Sequence, residues 1–298
     1  MGTAMPVIAS VLALLVGQQA ADPARVFAYD REAPLDFRVS SEERVDGVTV
    51  QDVSYVSARK GRVPGYLVHP GGEGPFAGIV FMHWGQGDRT EFLSEALVLA
   101  RKGALSLMID APYHRPDIES YSFVAEPEAE RESYVQLVAD LRRGFDLLAA
   151  RKDVDSKRIG YVGHSLGATW GGALAGVDPR FAGYVLMGGL PRLTDVLGDD
   201  RYAKLLQAAF SREQLEKYVA VLSPVNPELF VGRAAPSSIL FQFARHDRFI
   251  SEASARDYVK AAGGSHGVRW YFTSHEFNDG QSPLDRMEFL KKKLALSP

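Results

Sequence analysis

The chain predicts an α/β fold, a mostly parallel sheet with helices on both faces and a small helical insertion. Three observations carry this. Several short runs are almost wholly apolar rather than alternating, among them Ile79-Val80-Phe81-Met82, Ala104-Leu105-Ser106-Leu107-Met108-Ile109 and Ser238-Ile239-Leu240-Phe241-Gln242-Phe243, and strands buried on both faces read this way. These runs alternate with stretches of helical periodicity, over 90–102, 126–152 and 251–262, as crossover connections between parallel strands require. Arg158-Ile159-Gly160-Tyr161-Val162 leads directly into Gly163-His164-Ser165-Leu166-Gly167 and then into a helical run of small residues over 168–175, which places Ser165 at a strand-to-helix turn.

Composition narrows the class of partner. At 298 residues the chain suits one large domain that buries its core without staples. Its 34 Lys plus Arg nearly balance its 37 Asp plus Glu, with no basic stripe, which argues against a nucleic acid or an anionic membrane and for a small molecule. No cysteine is present, so disulfides, a thiolate nucleophile and Cys-ligated metal are excluded and serine is the candidate nucleophile.

The elements follow in order. Residues 6–17 are uncharged and apolar, too short to span a bilayer comfortably, and lead into Gln18-Gln19-Ala20-Ala21-Asp22. Residues 1–21 are therefore expected to be a signal peptide and 22–298 a single domain, secreted or periplasmic. Against this, no Lys or Arg precedes the apolar run, and a segment kept as a helix on the domain would leave the protein cytoplasmic. Gly2 offers no myristoyl anchor, because Pro6 stands where Ser or Thr is needed, and no stable membrane anchor is expected. Val48–Val56 and residues 65–70 read as an opening antiparallel pair. Pro70-Gly71-Gly72-Glu73-Gly74-Pro75 is a turn lacking the Lys-Ser/Thr of a phosphate loop. Glu126-Pro127-Glu128-Ala129-Glu130 puts proline and acids at a helix start, where they meet the dipole better than a metal. Residues 181–187 form the next strand. Two helices over 199–221 then break the rhythm, so 194–222 is a small insertion that is either a lid or the filling of a crossover. Residues 268–272 are the last strand, and a helix over 283–296 closes the chain with Lys291-Lys292-Lys293 at the negative end of its dipole.

A serine hydroxyl is a poor nucleophile at neutral pH and needs a base within hydrogen-bond reach and a third group to orient that base. In a parallel sheet the loops that build a site leave the carboxyl ends of the strands, so the partners must closely follow strands. Asp247 and His275 do so, just beyond Phe243 and Phe272. Asp178, Asp195, Asp199 and Asp200 precede or begin the insertion helices and Asp257 is mid-helix. His266 precedes its strand, His164 lies inside the elbow, and His246 points away if Asp247 points in. Glu276 is read as a solvated neighbour. Attack on a carbonyl puts negative charge on its oxygen, which two preorganised N–H groups must hold. Leu166 supplies one by following the nucleophile, and the loop His83-Trp84-Gly85 after the Ile79 strand supplies the other, Trp84 first and Gly85 second. Tyr113-His114-Arg115, with Arg245 and Arg248 flanking Asp247, could meet an acidic substrate, although loop arginines are usually solvated.

Gly-His-Ser-Leu-Gly, the His-Trp-Gly loop, Asp110-Ala111-Pro112 and the order Ser165, Asp247, His275 resemble the α/β-hydrolase superfamily, and within it the dienelactone-hydrolase-like and acetyl-xylan-esterase-like branch. The resemblance covers roughly residues 50–296. It implies an eight-stranded sheet with strand two antiparallel, a Ser-His-Asp triad, no cofactor and no metal, and hydrolysis of a small-molecule carboxylic ester through an acyl-enzyme. Dienelactone hydrolases proper carry a cysteine nucleophile, which this chain lacks, and the His-Gly-Gly-Gly run of hormone-sensitive-lipase-type esterases is missing too. Two other readings share these residues. One is a peptidase or amidase of the prolyl-oligopeptidase-like kind, for whose propeller the chain has no room; the other is a non-catalytic binding module on the same fold.

Overall fold

A computed structural model of the chain describes residues 22–118, 121–197, 200–236, 238–264 and 266–297, without the side chains of 200–202. The expected signal peptide and Asp199 lie outside the described residues.

Nine strands form one sheet among the described residues, in the order β1-β2-β3-β5-β4-β6-β7-β8-β9. They are β1 Arg38–Val45, β2 Val48–Val56, β3 Arg62–His69, β4 Phe76–Met82, β5 Ala104–Ile109, β6 Val154–His164, β7 Gly183–Met187, β8 Ile239–Ala244 and β9 Gly267–Tyr271. β4 to β9 run parallel. The antiparallel pairings are β1 with β2, β2 with β3 and β3 with β5, so β3 opposes the parallel set as the resemblance implied for its second strand. The count is nine rather than eight because of β1. Its sequence, Arg-Val-Ser-Ser-Glu-Glu-Arg-Val, is exposed along nearly its whole length; no apolar face marks it, and only pairing to β2 makes it a strand.

The central strands β4, β5, β7 and β8 are buried at every residue, which accounts for their unalternating apolar sequence. The helices are α1 Leu93–Ala100, α2 Pro127–Ala149, α3 Leu166–Val177, α4 Asp200–Ala209, α5 Arg212–Leu222, α6 Glu228–Val231, α7 Glu252–Ala262 and α8 Gln281–Leu294. The core divides into two clusters, as a sheet covered on both sides requires. One holds residues of α2, α3 and α7, including Trp170, Leu137 and Tyr258; the other holds residues of α1 and α8, including Leu99 and Leu290. The insertion contains the expected two helices, α4 and α5. Tyr218 of α5 donates its hydroxyl to the buried Glu130 of α2, whose carboxyl burial pushes above the usual range. No described helix is long and apolar enough to cross a membrane.

Candidate active site

Because β4, β6, β7, β8 and β9 are parallel neighbours, their carboxyl ends share one edge of the sheet. Ser165 stands there between β6 and α3, at φ +53° and ψ −108°. This backbone state costs a non-glycine residue on the order of 1–3 kcal/mol and persists only where its surroundings over-determine it. Here the Ser165 amide donates to the Met187 carbonyl of β7 at 2.7 Å, and the Ser165 carbonyl accepts from the Thr169 amide at 2.8 Å and the Thr169 hydroxyl at 2.9 Å. The flanking glycines are required by contact. A Cβ on Gly163 would lie 2.5 Å from the Gly167 carbonyl, and one on Gly167 would lie 2.3 Å from the Met82 carbonyl.

Asp247 follows β8 and His275 follows β9, and the fold brings them together: Asp247 Oδ2 accepts from His275 Nδ1 at 2.8 Å, with side chains 2% and 0% exposed. The Phe249 ring packs edge-on against the imidazole at 4.8 Å between centroids. Gly188, after β7, leaves the ring its place, since a Cβ there would stand 3.3 Å from His275 Cε1. His275 Nε2 is buried and makes no hydrogen bond.

The competing acids are engaged elsewhere. Asp178 is bound by Arg142 and Arg180, and Asp195 and Asp257 by Arg192. Glu276, expected to be solvated, is paired with Arg248 at 2.6 Å. The other groups considered for an acidic substrate are also engaged. Arg115 forms a fully buried pair with Asp140, and Arg245 lies over the Trp270 ring. Tyr113 is half-buried, its ring packed edge-on against His83 and His114, and His114 Nε2 contacts the Gly85 carbonyl at 3.0 Å.

The expectation for Trp84 needs correction. Its amide is donated to Glu91 Oε2 at 2.7 Å, because the chain after β4 curls back to bring that carboxylate beneath the loop. Gly85 is the next amide. It lines a cavity of about 190 Å³ together with Ser165 and Leu166, and a Cβ on it would sit 3.0 Å from Leu166 Cδ1. Leu166 opens α3, where amides have no partner within the helix. The rest of the cavity is mostly apolar, walled by Leu190, Leu193, Val196, Phe249 and Ile250, with Leu193 just before the insertion and Val196 at its start. His83, before Trp84, is buried; burial holds its imidazole down to about 4, and its Nε2 accepts the Ala111 amide at 3.1 Å. Among the described residues no cluster of three His, Cys, Asp or Glu side chains could hold a metal.

Sequence reasoning missed Glu91 and gave His164 no role. His164 Nδ1 lies 2.6 Å from Glu91 Oε1, and its Nε2 lies 2.8 Å from the His275 carbonyl. No signal in the sequence pointed to Glu91, an acid near the start of a helix like many others.

No family model matches the sequence, and no curated protein matches it. Solved structures do resemble it. An acetyl xylan esterase from Paenibacillus sp. R4 superposes with a TM-score of 0.75 at 20% identity, covering 91% of this chain and 92% of that one. An acetyl xylan esterase from Thermoanaerobacterium sp. gives 0.71 at 15%, covering 90% and 92%. A structure from Klebsiella pneumoniae subsp. pneumoniae assigned as a dienelactone hydrolase gives 0.61 at 19%, covering 84% and 99%. At such identities the likeness is one of fold, and the fold is that of the α/β-hydrolases.

Proposed function

We propose that the chain is a serine hydrolase that cleaves carboxylic esters of short acyl groups through an acyl-enzyme on Ser165. The observation that carries this reading is the buried Asp247–His275 pair, whose remaining ring nitrogen is unpartnered at the sheet edge that also presents the strained Ser165. With Nδ1–H given to Asp247, Nε2 is the basic nitrogen. His275 takes the Ser165 proton as Oγ attacks the ester carbonyl, and Asp247 holds the ring and favours the imidazolium that forms. The developing oxyanion is met by the amides of Leu166 and Gly85. His275 then returns the proton to the departing alcohol, and water, activated by the same nitrogen, releases the acid.

The likeness to acetyl xylan esterases supports an ester substrate, and the cavity supports a short acyl chain. Its small volume and apolar wall suit a few carbons better than a fatty acyl tail.

The test is Ser165→Ala. p-Nitrophenyl acetate turnover is expected to disappear with the thermal unfolding midpoint unchanged, and undiminished turnover would remove the assignment. Running aminoacyl anilides beside the esters separates an esterase from an amidase, and lack of fluorophosphonate labelling of the wild type would favour a non-catalytic module.

A further inference from the structure

A second carboxylate–imidazole couple lies directly behind the first. The Glu91 and His164 side chains are 19% and 5% exposed. The couple touches three chain segments at the site. Glu91 Oε2 accepts the Trp84 amide at 2.7 Å, in the loop carrying Gly85. His164 immediately precedes Ser165. Its Nε2 reaches the backbone carbonyl of His275 at 2.8 Å. The Trp84 ring stacks on the His164 ring at 5.9 Å with planes 13° apart, and Phe277 closes the edge at 5.6 Å. Gly87 is a close approach, since a Cβ there would lie 2.4 Å from the Trp84 ring and 2.9 Å from Glu91 Oε2.

Hydrogen-bond bookkeeping constrains the proton. A backbone carbonyl only accepts, so His164 Nε2 must carry a hydrogen. The other nitrogen faces a carboxylate oxygen, so that contact needs a hydrogen too, on Nδ1 or on Oε1. Either way the couple holds one proton more than a neutral imidazole beside a carboxylate and carries no net charge. It is thereby satisfied at every contact, which a buried polar network needs if it is to be rigid.

We propose that Glu91 and His164 are positioning residues of the reaction, a proton-sharing couple that ties the Gly85 loop and the His275 backbone to the turn carrying Ser165. This rests on the hydrolytic reading of Ser165, His275 and Asp247. The couple touches no substrate. It acts by fixing where the base and the oxyanion donors stand, and misplacement of such groups by about 1 Å costs on the order of 100-fold in rate.

Glu91→Gln can keep every contact: its carbonyl oxygen accepts the Trp84 amide, and its NH2 donates to Nδ1 of a neutral His164 that still donates from Nε2. Glu91→Ala leaves both partners without a group to meet. With rates expressed per fluorophosphonate-labelled site, Glu91→Ala is expected to lose on the order of 10- to 100-fold in kcat on p-nitrophenyl acetate with KM little changed, while Glu91→Gln stays close to wild type. A purely structural pair would lower the unfolding midpoint and the labelled fraction but leave kcat per site alone, and that result overturns the proposal. So does a Glu91→Gln protein as impaired as Glu91→Ala. Ring-nitrogen NMR of the wild type, assigned with His164→Gln, needs no stable Glu91→Ala protein: a proton on His164 Nε2 is expected, and a lone pair there overturns the proposal. Wild type that takes no fluorophosphonate on Ser165 overturns the hydrolase reading itself; wild type that labels, beside a Glu91→Ala variant at full kcat, overturns only the role given to this couple.

Discussion

Asp247 is held from two sides: Oδ2 accepts from His275 Nδ1 at 2.8 Å, while Oδ1 accepts the backbone amides of Phe249 and Ile250 at 2.8 and 2.9 Å. One carboxylate thus shapes its own turn and selects the tautomer of the histidine. Asp247→Asn separates the two tasks. The asparagine oxygen can keep both amides, but its NH2 then faces His275 and forces the proton onto Nε2. The expected result is a loss of kcat on the order of 10⁴-fold with an unfolding midpoint near wild type. A variant that kept most of its kcat would place the base elsewhere.

Gly188 predicts a more local effect. Its φ is +58°, and a Cβ would stand 3.2 Å from Phe277 Cε2, 3.3 Å from His275 Cε1 and 3.4 Å from Nδ1. Gly188→Ala is expected to cost on the order of 1–2 kcal/mol in urea unfolding from the left-handed backbone alone. It should also lower kcat by displacing the imidazole. Unaltered kcat would mean that the ring is free to settle without this space.

The loop after β4 predicts acid sensitivity. Burial depresses His83 from 6.5 to about 4, so the folded protein keeps this ring neutral where an unfolded chain protonates it. The unfolded state then binds more protons between these values, so stability is full above about pH 6.5 and falls as pH drops toward 4. The loss approaches on the order of 3 kcal/mol near pH 4. Urea midpoints measured from pH 7.5 to 4.5 should fall less steeply in His83→Gln than in wild type. Parallel slopes would show that other groups carry the acid branch.

The cavity beside Ser165 predicts a chain-length limit. While a methylene finds apolar wall it contributes about 0.8 kcal/mol, and once the space is full it contributes nothing. Across p-nitrophenyl acetate, butyrate, hexanoate and octanoate, kcat/KM is expected to be highest for the two shortest. Leu193→Ala, which removes a wall residue that is 8% exposed, should move the maximum toward hexanoate. A wild-type preference for octanoate would contradict a short acyl site.

How much could be read in advance depended on how local the physics was. β4, β5 and β8 were legible because a strand covered on both faces must be apolar throughout. β1 was not, because an exposed edge strand owes its conformation to its neighbour. Asp247 and His275 could be chosen because parallel strands force the loops after them to one edge, a rule of topology. The Trp84 amide was assigned by its position after a strand, and nothing in the residues between showed that Glu91 would reach back and take that hydrogen bond.

The amino-acid order by itself therefore determined the α/β class, the strand-turn-helix around Ser165 and the succession of serine, acid and histidine, because each follows from periodicity, from steric demands at glycine or from the handed winding of a parallel sheet. Only the tertiary structure decided that the Trp84 amide is given to Glu91, which side chains wall the cavity beside Ser165, and that Glu91 meets His164 behind His275. Those are distances between side chains set by the packing of separate elements, and a change of one ångström in that packing alters every one of them.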